Sequence, residues 1–148
     1  MKASRALSLL IIVLEVGGVA FLLLCGQTIL TIIGTFSSGG QIPTEINQAT
    51  GVAKLTFTVS PKNGGYLPAS LTIGFGVSST DGSFSVSNFT TIYLEPGKQI
   101  PTTLTLEVPQ DKLQLYANGG GTLDVYTNTK TLWDLVSLDY NVKMKGGS

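Results

Sequence analysis

Residues 69–82 read ASLTIGFGVSSTDG. Leu71, Ile73, Phe75 and Val77 alternate with Ser70, Thr72, Gly74, Gly76 and Ser78, the period-two pattern of a strand with one buried face. Thr80-Asp81-Gly82 then turns the chain, so this strand and the next, Ser83–Ser87 with a continuation through Thr90–Leu94, are expected to form a hairpin. The same alternation extends outward on both sides. Upstream, Val52–Ser60 sets Leu55, Phe57 and Val59 against Thr56 and Thr58. It ends at Pro61-Lys62-Asn63-Gly64-Gly65, where Asn-Gly accommodates a left-handed backbone. Downstream, Glu95-Pro96-Gly97-Lys98 turns into a strand over Thr102–Val108 that buries Leu104, Leu106 and Val108. Pro109 opens a helix of one or two turns over Gln110–Ala117, ended by Asn118-Gly119-Gly120-Gly121. Strands over Thr122–Asn128 and Leu135–Lys145 complete the pattern. Six or seven strands, short turns and one small helix predict a mainly β, Ig-like antiparallel sandwich over 51–148.

The chain ahead of it has a different physics. Residues 6–33 read ALSLLIIVLEVGGVAFLLLCGQTILTII, with Glu15 as the one charge. A membrane span needs about 20 such residues, and a soluble surface helix would show a polar face. This predicts a short cytoplasmic N-terminus at 1–5 and a transmembrane helix over 6–34. A flexible linker follows at 35–50, where Ser37-Ser38-Gly39-Gly40 is loose and Pro43 blocks a helix. The apolar run exceeds the 7–15 residues or so of a secretory signal core, so an uncleaved signal anchor is expected. Lys2 and Arg5 precede it, and the next basic residue is Lys54. Positive charge on the inner side then places the β-domain outside the membrane.

Within the span, an ionised carboxylate in hydrocarbon costs a few kcal/mol, so Glu15 is expected to meet a donor from a partner subunit, the other reading being a protonated side chain facing lipid near the cytoplasmic leaflet. Gly18, Leu22 and Gly26 fall on or near its face, and the glycines leave room for a second helix. The expected partners are membrane lipid and either another copy of this chain or another membrane subunit, through a helix–helix interface of Glu15, Gly18, Leu22 and Gly26. Cys25 reads as a small packing residue.

Composition narrows the chemistry. There is no histidine and one cysteine in 148 residues, and nine basic residues balance nine acidic ones. A Ser-His-Asp triad, a His-bearing zinc site and an intramolecular disulfide are thereby excluded, and zero net charge gives no footprint for nucleic acid. Gly74-x-Gly76 lies inside a strand and lacks the following helix of a nucleotide loop. No catalytic, cofactor or metal site is expected. The outward Thr and Ser faces follow from β-propensity, with self-packing or glycan contact as the other reading. Asn88-Phe89-Thr90 is a glycosylation sequon that would act if the domain is external. Trp133, in the loop before the last strand, is expected to cap the sandwich end, the other reading being an exposed binding aromatic.

Two families share parts of this pattern. The Asn63-Gly64-Gly65 turn, Leu67-Pro68, the long alternating strand, Asp81-Gly82, Pro96-Gly97, Val108-Pro109, the Leu-rich helix and the close at Met144-Lys145-Gly146 resemble the late-embryogenesis-abundant (LEA-like), water-stress-and-hypersensitive-response sandwich. That resemblance covers about residues 52–146 and implies a binding or protective module with no catalytic residues. The short basic leader, long apolar helix and Ser/Thr-rich β-domain are similar to archaeal type IV-like pilins. Arg5-Ala6 before Leu7 is similar to their leader-peptidase site, which implies cleavage between Ala6 and Leu7 and a helix packed in an extracellular filament core.

Overall fold

The structure is a computed structural model and describes residues 2–35, 44–47 and 51–146. It is mainly β, with an apolar N-terminal helix and one short helix beside two antiparallel sheets. Helix α1 runs Lys2–Gly34. The strands are β1 Thr44–Asn47, β2 Val52–Val59, β3 Ala69–Ser79, β4 Ser85–Leu94 and β5 Thr102–Pro109, then β6 Gly121–Thr131 and β7 Val136–Lys145. Helix α2, Gln110–Leu115, lies between β5 and β6. It widens into one further turn that ends on Gly119 at φ 81°.

One sheet has the order β1-β2-β5 and the other β4-β3-β6-β7. β3 is central to the larger sheet: Ile73 pairs with Thr90 on β4 and Thr127 on β6, so the three share an inner face. Leu71, Ile73, Phe75 and Val77 from β3 meet Leu55 and Phe57 of β2 and Leu104, Leu106 and Val108 of β5 in one core. Phe57 and Phe75 stack across it with ring centroids 5.5 Å apart. Alternating apolar side chains drive this closure, because each sheet can bury its apolar face only against the other.

The outward hydroxyls pair with one another. Thr58 and Thr103 stand 3.1 Å apart, Thr72 and Thr91 2.8 Å, and Ser78 and Thr122 2.9 Å, each oxygen to oxygen across neighbouring strands. The hydroxyl faces are thus knitted into the sheets, which fits β-propensity as their cause. β7 is an edge of the larger sheet, and its apolar positions Leu138, Tyr140 and Met144 remain exposed.

Two local expectations are corrected. Asn63-Gly64 does not make a left-handed turn; the positive-φ glycines are Gly51, Gly82, Gly97 and Gly119. Asn63 is instead fully buried and ties loops together. Its Nδ2 donates to Leu67 O (2.8 Å) and Leu94 O (2.9 Å), while its Oδ1 accepts from Gly65 N (3.0 Å). Trp133 does not cap the core, being 91% exposed.

Candidate functional site

The site begins with the helix. From Leu10 to Leu23 its large apolar residues, among them Ile11, Ile12, Leu14, Val16, Val19 and Leu22, are all exposed. Leu10–Gly34 is long and apolar enough to cross a membrane. The last turns of the same helix are different: Cys25, Thr28, Ile29 and Ile32 are buried, and Ile32 belongs to the sandwich core. At about 100° per residue these four lie on one side of α1. The helix packs there against β6, whose inner-facing Thr127, Thr129 and Thr131 are buried.

Two glycines and two threonines form the socket. Gly65 passes so close to the helix that a Cβ there would overlap Thr28, and a Cβ at Gly64 would press on Thr31 Cβ at 3.3 Å. Thr28 Oγ1 donates to Leu24 O (2.9 Å) and accepts from Leu67 N (3.4 Å). Thr131 Oγ1 donates to Pro68 O (2.8 Å), binding the end of β6 to the same loop. The 64–68 loop, held from behind by Asn63, is the seat into which the helix docks.

The sequence-predicted interface residues lie clear of that seat. Glu15, Gly18 and Leu22 are exposed and Gly26 is half-buried. Glu15, Leu22 and Gly26 follow one line along the helix, about 90° from the docked side. A Cβ built on Gly18 or Gly26 meets nothing within 4 Å. At Gly26 a shallow groove is bordered by Leu22, Leu23 and Leu30. The structure thus brings Glu15, Leu22 and Gly26 onto one open stripe, whereas Gly18 falls in line with the docked side, two turns before Cys25. Ala6 and Leu7 lie in the helix, but their side chains fall outside the described residues. Asn88 is exposed on edge strand β4, and its Nδ2 donates to Thr105 O at 3.0 Å; a glycan there would displace that bond.

A second concavity lies on the outer face of the larger sheet, over Gly74 and Gly76, beside Phe89, Asp124 and Tyr126. Phe89 and Tyr126 are the strand partners of Gly74 and stand over it, as aromatic neighbours shield a strand glycine. One Asp124 oxygen is buried without a partner; the other receives a long bond from Ser78 Oγ at 3.4 Å. Beside them Asp139 accepts from Asn128 Nδ2 and from the Tyr126 hydroxyl. These two bonds, Asn128 first, hold its carboxyl below the usual carboxylate range, and the bond to Asp139 raises the Tyr126 phenol above its own. Among the described residues no three Asp, Glu or Cys side chains gather as metal ligands.

The docking of the helix carried no signal in the sequence. A residue facing lipid and a residue facing a protein core must both be apolar, so Cys25, Ile29 and Ile32 read like the residues before them.

Comparisons give the fold only. No family model matches the chain, and no curated protein matches it. Among solved structures, a β-glucuronidase from Bacteroides uniformis is 19% identical at a TM-score of 0.51, over 73% of this chain and 13% of that one. A calcium-binding mutant of Bacteroides uniformis β-glucuronidase 2 gives 18% identity and a TM-score of 0.52 over the same shares. A protein from Archaeoglobus fulgidus aligns over 73% of this chain and 94% of its own, with 8% identity and a TM-score of 0.47. The chain therefore spans about an eighth of the glucuronidases it matches. At such identity the likeness is one of β-architecture.

Proposed function

We propose that this protein is a non-enzymatic structural subunit: a single-pass membrane protein that presents a β-sandwich outside the membrane and associates through its helix. The observation that carries this is the division of α1. Its last turns are buried against the sandwich, whereas from Leu10 to Leu23 its large apolar residues are exposed. From Ala6 to Leu24 it rises about 28 Å, close to a hydrocarbon core of about 30 Å. Lys2 and Arg5 orient the N-terminus to the cytoplasm. The Glu15, Leu22 and Gly26 stripe supports the association: it lies to one side of the docked face, and Gly26 opens a groove for an approaching helix. Cross-linking of the full chain in bilayers tests it. Dimers or higher species are expected, diminished by Glu15→Leu and by Gly26→Leu; unchanged cross-linking in both variants would refute the helix seam.

A second reading, a pilin-like filament subunit, is favoured by one particular feature. The helix enters the sandwich without a break, its last turns being buried there, while the expected linker segment Ser37-Ser38-Gly39-Gly40 lies outside the described residues. A helix fixed in its domain suits a repeating array in which helices pack at the centre. Intact mass of protein from cells decides: an N-terminus at Leu7 together with sheared surface filaments supports this reading, and an N-terminus at Met1 without filaments supports the anchor.

A further inference from the structure

The end of the sandwich from which the bare helix departs carries an unusual set of exposed apolar side chains. Trp133 is 91% exposed, Leu135 81% and Tyr66 70%. Backbone pairing puts them at this end. Thr131, the last residue of β6, pairs with Ala69 and with Val136 and bonds to Pro68. The Leu132–Leu135 turn therefore stands beside the 64–68 loop. Tyr66 sits between Gly65 and Leu67, both of which approach Thr28 of the helix. Thr28 is only one turn beyond Leu24, where the bare part of the helix ends.

The turn itself is held in an uncommon shape. Leu132, Trp133 and Asp134 have φ of 57°, 51° and 69°, and the turn closes with Leu135 N donating to Leu132 O (3.1 Å). Left-handed backbone is disfavoured for Leu and Trp, so folding maintains a strained turn with its largest side chain outside any core. Lys62 and Lys98 stand exposed on the segments joined to Asn63 at this same end. Trp and Tyr rings with nearby lysines are the side chains enriched where hydrocarbon meets headgroups.

We propose that Trp133, Leu135 and Tyr66 form a lipid-interface collar that rests the sandwich on the outer leaflet of the bilayer that α1 crosses. This rests on the membrane reading above and adds a surface to it: the domain is seated on the headgroups and does not stand free of them. The seat would fix the tilt of the helix–sandwich unit, since interfacial aromatics act as such anchors.

Trp133 is the single tryptophan, so the native chain carries its own probe. The full chain is reconstituted in phosphatidylcholine vesicles, and the vesicles are floated. Trp133 emission is then quenched separately by aqueous acrylamide and by lipids brominated near the headgroup. The collar predicts a blue-shifted emission, strong quenching by the brominated lipid, and acrylamide quenching several-fold weaker than for the urea-unfolded chain. Full acrylamide quenching with no lipid quenching overturns the collar, while flotation keeps the anchor intact. Protection from both quenchers also overturns it, since another copy would then cover the ring. Failure of the protein to float refutes the anchor itself.

Discussion

Gly65 lies where the 64–68 loop passes close to Thr28 of the helix. A methyl group there would overlap Thr28, so Gly65→Ala is expected to cost about 1–3 kcal/mol through overpacking, read as a lower denaturant midpoint. Asn63 supports that contact from behind by satisfying Leu67 O, Leu94 O and Gly65 N. Asn63→Ala leaves these buried groups unpaired, with a loss of about 1–3 kcal/mol or more, measured in the same way. Asp81 sets a different dependence. The Ser79 hydroxyl, and then the N–H and hydroxyl of Ser83, lower its carboxyl from 3.8 to about 2. The folded state thus binds the proton less readily than the unfolded chain. Its small stabilisation is present above the ordinary carboxylate range and fades as pH falls toward 2. In thermal melts the deficit of Asp81→Ala should be present near neutral pH and vanish in strong acid; a deficit independent of pH would contradict it.

At the scale of elements, α1 is one helix with two environments, and Cys25 marks the boundary. It is the only cysteine and is 1% exposed, so the folded protein should react with a maleimide far more slowly than the denatured one. Gly65→Ala should speed the reaction if it loosens the seat; equally fast labelling of native and denatured protein would mean that the helix is not docked. The strands were legible because alternation has a period that only a half-buried strand produces: β3 is found over the residues quoted at the outset, and α2 ends in the predicted glycine run. The socket was illegible for a physical reason. On β6, Thr127, Thr129 and Thr131 look like solvent-facing strand residues, yet they are covered. On α1, the covered residues look like lipid-facing ones. Of the two readings of Trp133, the cap fails because the ring is 91% exposed, on a three-residue left-handed turn that has no signature in the sequence.

For the whole molecule, the last turns of α1 are buried against the sandwich, so under the proposed function the β-domain would extend directly from the membrane span. The helix stripe and the proposed collar are two exposed apolar surfaces, beside the exposed apolar positions of β7. Fold class and the presence of a membrane-length helix could be read from periodicity and composition; the fixed join could not, because it depends on which apolar residues meet across a distance of many residues. The central claim is that the bare part of α1 lies in a bilayer with the sandwich outside. Alkaline carbonate extraction of membranes carrying the full chain, with protease added to the outer face, tests it directly. The chain is predicted to stay with the membrane pellet while the protease reaches the sandwich. Release of the intact chain into the supernatant would contradict the account.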